Sequence, residues 1–270
     1  MWPVEVLEAG EGPPAVLVHG HVVSARPTWA AQQSLADRYR LRLVNRRGYG
    51  QSRGTEAEDF AADAEDVVEV LGDGAHLVGH SYGGVVALLA AARRPERVRS
   101  LTVIEPPVFS LLPERPEVWE FIADYEALTA DGMSPEDFLP RFLVMLGTPQ
   151  ESVPGSLPRL LPQVLRRAVI TQMRGRRPWD AQIALDTLAR GPFPRLVVSG
   201  GHSALFEGVC EALAHGIRAE HSVLPGYGHA VQRLGRPFND ALTKLWTRAD
   251  AVVTQPEAVT HAAAPQLGSG

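Results

Sequence analysis

The chain has 270 residues, 45% of them hydrophobic and 21% charged, with a formal net charge of −5. That length and mix suit one globular domain with a substantial core and room for an insertion. The negative balance argues against a nucleic-acid partner, whose footprint is strongly basic, and the single cysteine, Cys210, cannot close an internal disulfide, which fits a reducing compartment.

The opening MWPVEVLEAGEG has neither a basic segment nor a long apolar run. No signal peptide and no membrane span are expected, and the default location is the cytoplasm. Short apolar runs follow: PAVLVH (14–19), RLVN (42–45), HLVGH (76–80), VRSLTVI (98–104) and PRLVVSG (194–200). Rich in Val, Leu and Ile and flanked by Gly or Pro, they read as buried strands. AEHSVLP (219–225) is a more polar strand candidate. Trp29–Arg38, Asp59–Leu71, Tyr82–Arg94 and Phe206–His215 read as helices. Strand and helix alternating at this spacing predict a mostly parallel sheet covered by helices on both faces. Cys210, in the last of these helices, reads as a buried and inert thiol.

The alternation stops between Pro106 and Pro192, a proline-rich stretch with patches of helical pattern such as VWEFIADYEAL and EDFLPRFLVML. Residues 106–191 are expected to form a helical cap inserted into a core made of 1–105 and 192–249. Residues 250–270, rich in Ala, Pro, Thr and Gly, read as a disordered tail.

The chemistry centres on Gly79-His80-Ser81-Tyr82-Gly83-Gly84. It lies between HLVGH and the helix VVALLAAARR, the setting in which G-x-S-x-G forms a sharp strand-to-helix bend. The bend needs neighbours without side chains on either side and lifts the Ser81 hydroxyl clear of the sheet as a nucleophile. It also sets the Tyr82 N–H at a helix N-terminus, where it can hold an oxyanion. His19-Gly20 ends an earlier strand, and the loop after it is placed to supply a second oxyanion N–H, that of His21, from the backbone rather than an imidazole. Late in the chain, His229 follows a strand candidate and two loop glycines in PGYGH (225–229), the only one of the nine histidines in that setting. A general base for Ser81 belongs on a loop at that sheet edge.

The pair HG, NRRGYGQS (45–52), GHSYGG and PGYGH appear in the order found in the α/β-hydrolase family, which the chain resembles over residues 4–248. NRRGYGQS is similar to the family's D-x-R-G-x-G-x-S turn, with Asn45 in place of the acid and a structural role. The resemblance implies an α/β-hydrolase fold: a mostly parallel eight-stranded sheet, helices on both faces, an inserted helical cap, and a Ser–acid–His triad. The family usually carries the acid three residues beyond the glycine that ends PRLVVSG, and that position is Ser203. Some members carry it instead at the end of the strand beside the nucleophile, which here is Glu105. Glu105 is therefore assigned to orient His229. The alternatives are an edge ion pair between Glu105 and an arginine, a two-residue Ser–His site, or a cap acid such as Asp124.

The reaction so implied is cleavage of an ester, thioester or lactone of a small, largely apolar acyl substrate through an acyl-enzyme, with no metal and no organic cofactor. Phe109, Phe142 and Trp179 are expected to line the pocket. The partner is a small molecule, and monomer and homodimer are equally open. Arginines 166, 167, 174, 176 and 177 read as a solvated helix face. A second reading places a C–C bond hydrolase, lyase, cyclase or acyltransferase on the same triad, and a third is a ligand-binding module without turnover. Epoxide hydrolases and haloalkane dehalogenases fit poorly, because they use an aspartate where Ser81 stands.

Overall fold

A computed structural model describes residues 2–130, 132–148 and 161–253. Its strands are β1 (Val6–Ala9), β2 (Pro14–Val18), β3 (Arg40–Val44), β4 (Ala75–His80), β5 (Val98–Ile104), β6 (Arg195–Ser199) and β7 (Glu220–Val223). They form one sheet in the order β1-β3-β2-β4-β5-β6-β7. Only β1 runs antiparallel, against β3; every other pairing is parallel. The described residues thus hold seven strands where eight were expected. A single antiparallel strand forms the edge beyond β3, and its four half-exposed residues gave no apolar run in the sequence.

The continuous apolar runs are explained by burial on both faces. Val16, Leu77, Leu101 and Val197 pack on one side beneath α2 (Phe60–Leu71), α3 (Tyr82–Arg93) and α8 (Ala204–Ile217). Leu17, Val78, Ile104 and Val198 pack on the other against Trp29 and against Phe238, Leu242 and Trp246 of α9 (Arg236–Val253). Cys210 is buried in the first of these layers, where burial raises its thiol pKa and keeps it protonated.

Two expected elements are corrected. Trp29–Arg38 is not one α-helix but a short turn, α1 (Ala25–Thr28), followed by a 3-10 stretch over Ala30–Asp37. Trp29 is drawn wholly into the core, and the buried Gln32 amide donates to the Gln232 carbonyl and to Asn239 Oδ1, both at 2.9 Å. The tail does not begin at 250, because α9 continues to Val253 and Arg99 reaches Asp250 at 3.2 Å. The remainder of that expected tail, 254–270, lies outside the described residues.

Between β5 and β6 the chain forms α4 (Pro116–Leu128), α5 (Pro135–Met145), α6 (Gln163–Arg174) and α7 (Leu185–Arg190). Pro116 and Pro135 begin their helices at the first helical position, where the missing N–H costs nothing. α7 packs against α3 and α8, so the last part of the expected cap segment joins the core layer. No helix among the described residues is long and apolar enough to cross a membrane.

Candidate active site

Ser81 stands between β4 and α3 with φ 54° and ψ −123°, a backbone conformation that side-chain-bearing residues rarely adopt. Its N–H donates to the Ile104 carbonyl and its carbonyl accepts from the Gly84 N–H, each at 2.8 Å. The spacing of the glycines follows from crowding. A Cβ on Gly79 would collide with the Gly83 carbonyl, and one on Gly83 would collide with the carbonyls of Val18 and His19.

His229 sits on the loop after β7, where Gly226 and Gly228 take positive φ angles of 129° and 53°. Its Nδ1 donates to Glu105 Oε2 at 2.6 Å. Its Nε2 is buried without a hydrogen-bond partner among the described residues, and the ring lines the same cavity as Ser81. Glu105 is fully buried at the end of β5, itself at a positive φ of 42°. The other carboxylate oxygen, Oε1, accepts from the Gly200 N–H at 2.7 Å. Burial pushes this carboxyl toward the neutral form, but its contacts with His202 and His229 outweigh that and hold its pKa at about 2.

Among the described residues, the Glu105 carboxylate therefore meets imidazoles and not an arginine. Asp124 is exposed on α4, and Ser203 caps α8 by accepting from the Phe206 N–H at 3.5 Å. His202, which the sequence reading did not single out, brings Nδ1 to 3.3 Å from Glu105 Oε1, and that contact raises its pKa. The signal was present: His202 occupies the loop after β6, where the family acid was sought. Among the described residues, Glu105, His202 and His229 also form a group whose ligand atoms, all within 4.8 Å of one another, could hold a metal ion.

His80, beside the serine, is aligned for support. Its Nε2 donates to the His229 carbonyl at 2.8 Å, and burial keeps the ring neutral, with a pKa of about 3. Among the described residues, neither the His21 N–H nor the Tyr82 N–H donates to a protein group. Both belong to segments that flank the serine.

A cavity of about 530 Å³ opens on Ser81 and His229. His21, Phe142, Leu143, Leu146 and Tyr227 are among its walls. Of the three residues expected to line a pocket, Phe142 is a wall of this cavity, and Phe109 and Trp179 are not. Their rings stack on each other with centroids 5.6 Å apart, both pack on Phe121, and Phe109 also meets Phe206 of α8, so both belong to the packing between the cap segment and the core.

The sequence profile of the alpha/beta hydrolase family matches residues 15–241. The chain belongs to this family. An alpha/beta hydrolase of Sphaerobacter thermophilus superposes with a TM-score of 0.64 at 24% identity, covering 88% of this chain and 96% of that one. A thermophilic esterase of Thermogutta terrifontis does so with a TM-score of 0.68 at 21% identity, covering 91% and 93%. Among curated relatives, the pimeloyl-[acyl-carrier protein] methyl ester esterase of Aeromonas salmonicida is 39% identical over 118 residues. That match spans 43% of this chain and 46% of the relative, so it covers less than half of either.

The turn NRRGYGQS keeps its architecture without the usual acid. Asn45 Oδ1 accepts from the Ala25 N–H at 2.8 Å, while its Nδ2 donates to Glu5 Oε2 at 2.7 Å. Arg47 pairs with Asp66 on α2 at 2.6 Å.

Proposed function

We propose that this hydrolase is a serine esterase that cleaves an ester, thioester or lactone of a small, largely apolar acyl group. The observation that carries the reading is the buried Glu105–His229 contact at 2.6 Å, which leaves His229 Nε2 open on the cavity beside Ser81. Holding Nδ1–H on a carboxylate fixes the tautomer in which Nε2 is free to accept a proton.

His229 Nε2 takes the Ser81 proton as Oγ attacks the acyl carbon. The carbonyl oxygen becomes an oxyanion held by the N–H groups of His21 and Tyr82. Glu105, ionised down to a pKa of about 2, stabilises the imidazolium. His229 then protonates the leaving alcohol or thiol, and deprotonates the water that releases the acid and restores Ser81. The curated relatives are named for methyl esters of a carrier-bound acyl chain, which agrees with an acyl group entering an apolar cavity. A small-molecule partner and a cytoplasmic location complete the reading.

The test is hydrolysis of p-nitrophenyl acetate and butyrate together with covalent labelling by a fluorophosphonate. Wild type should turn over and label at one site, and Ser81→Ala should lose both, with a rate loss on the order of 10⁶. Labelling without ester turnover would move the assignment to C–C bond cleavage or acyl transfer. Turnover in Ser81→Ala would end it.

A further inference from the structure

Beneath the oxyanion loop lies a buried charge that the mechanism above does not use. We propose that Arg46 is a positioning residue that locks both halves of the oxyanion hole, the loop bearing the His21 N–H and the bend bearing the Tyr82 N–H. The proposal rests on the assignment of those two N–H groups as the oxyanion donors.

Arg46 is 1% exposed. Its Nη2 donates to the Gly20 carbonyl at 2.8 Å and its Nε to the His19 carbonyl at 3.1 Å. The first of these bonds is decisive, because the Gly20 carbonyl and the His21 N–H belong to one planar trans peptide and point in opposite directions. Drawing the carbonyl down onto the guanidinium therefore turns the N–H up, away from Arg46. The same peptide is clamped a second time by His19 Nδ1, which donates to the Gly20 carbonyl at 2.8 Å while its Nε2 accepts from the Arg46 N–H at 3.2 Å. On the other side, the guanidinium carbon lies 4.2 Å from the centre of the Tyr82 ring, a cation–π contact with the residue that supplies the second donor.

Glu58 and Asp63 balance the buried cation, accepting from Nη2 at 2.9 Å and from Nη1 at 2.8 Å. Glu58 extends the clamp. Its Oε2 lies 2.8 Å from His21 Nε2, and its Oε1 accepts from the Tyr49 hydroxyl at 2.8 Å, which in turn accepts from the Val22 N–H at 3.1 Å. Three consecutive residues of the loop, Gly20 to Val22, are thus tied to one charged cluster. A buried ionic cluster is a poor device for stability, since well-packed apolar residues usually serve as well. It is a good device for fixing peptide orientation, because a guanidinium binds several acceptors in a rigid plane that an ammonium cannot reproduce.

The experiment measures kcat, KM and the inhibition constant of an aryl trifluoromethyl ketone in wild type, Arg46→Lys and Tyr49→Phe. The ketone adds Ser81 Oγ to its carbonyl carbon, passes the hydroxyl proton to His229 and leaves an oxyanion in the hole, so its affinity reads the hole directly. Arg46→Lys should lower kcat by about 10²–10³, the loss typical of one oxyanion donor. KM should stay within about threefold, and ketone affinity should fall by the same factor as kcat/KM. Tyr49→Phe, which keeps the charge and removes the hydroxyl that links the Val22 N–H to Glu58, should show the same pattern with a smaller loss. It decides the question alone if Arg46→Lys does not fold. A folded variant pair with wild-type kcat overturns the proposal, as does a loss confined to KM with ketone affinity intact. Those results leave the serine esterase reading standing as long as Ser81→Ala is inactive. Wild-type inactivity toward esters, with no fluorophosphonate labelling, removes the reading and the proposal together.

Discussion

Glu105 and His229 stand 124 positions apart in the chain, yet the carboxylate of one and the Nδ1–H of the other meet at 2.6 Å in a buried site. The sheet makes this possible. β5 lies between β4 and β6, so Glu105 leaves the sheet beside the serine bend and beneath the loops that follow β6 and β7. Its positive φ and its bond from the Gly200 N–H set the carboxylate toward those loops.

Replacing Glu105 by Gln keeps the shape but removes the charge that, in the proposed reaction, stabilises the imidazolium. Activity toward p-nitrophenyl acetate should fall by about 10²–10⁴, with the fold retained. Ser203→Ala should leave kcat within about twofold and cost only about 0.5–1 kcal/mol of stability through the lost helix cap. Steady-state kinetics and thermal melting on both variants settle the choice of acid. A silent Glu105→Gln beside an inactive Ser203→Ala would reverse it.

Acid should destabilise the fold through the same carboxylates. Burial opposes ionisation of Glu105 and Glu58, but their histidine and arginine contacts hold both at about 2, below the ordinary 4.5. The unfolded chain therefore takes up protons first, and their stabilising effect is complete above about pH 4.5 and lost as pH falls toward 2. Asp63 works the other way, since burial lifts it to about 6 and the native state binds its proton more readily. The buried His76 and His80 rings, held at about 4 and about 3, outweigh it, because the unfolded chain protonates its histidines first as pH falls below 6.5. The melting temperature should therefore decline from about pH 6 and drop steeply below about pH 4. Glu105→Gln should flatten the drop, and a curve with the wild-type slope in that variant contradicts this account.

Much of this was readable from the chain, and the exceptions share a cause. β2, β4, β5 and β6 are buried on both faces, so each left an unbroken apolar run. The serine bend left its glycines because backbone carbonyls occupy the space of any Cβ. β1 left no mark because an edge strand of four half-exposed residues needs no pattern. The helix expected at Trp29–Arg38 gave way to contacts with Gln232 and Asn239, about two hundred positions away, which no local period encodes. His202 and the Arg46 cluster were missed for the same reason, since each takes its meaning from partners on other elements. Phe109 and Trp179 show the reverse error, because helical spacing marks an apolar face without saying whether a cavity or another ring lies against it.

His202 shares the carboxylate with His229, and its removal should be felt as a change in pH response more than in rate. His202→Gln removes one contact, worth about 1 kcal/mol, so kcat at neutral pH should fall by less than about tenfold. The Glu105 carboxyl loses one of the two partners that hold it down. It should therefore protonate at higher pH, and acid inactivation should move upward with it. A pH–rate profile of the variant that overlays the wild type apart from a vertical offset would assign His202 to packing alone.

The cavity wall separates from the cap's inner packing by one comparison. Phe142 lines the cavity and stacks on Phe138 with centroids 5.4 Å apart, whereas Phe109 and Trp179 stack on each other and do not line that cavity. Phe142→Ala should raise KM for a p-nitrophenyl hexanoate by about tenfold, the worth of roughly 1.4 kcal/mol of lost apolar burial, while KM for the acetate changes little. Phe109→Ala and Trp179→Ala should each cost about 3–5 kcal/mol of stability as large-to-small changes in a packed cluster. Their KM ratio between the two esters should stay at the wild-type value in the folded fraction. If Trp179→Ala alters chain-length preference and Phe142→Ala does not, the acyl group enters from the other side of the cap.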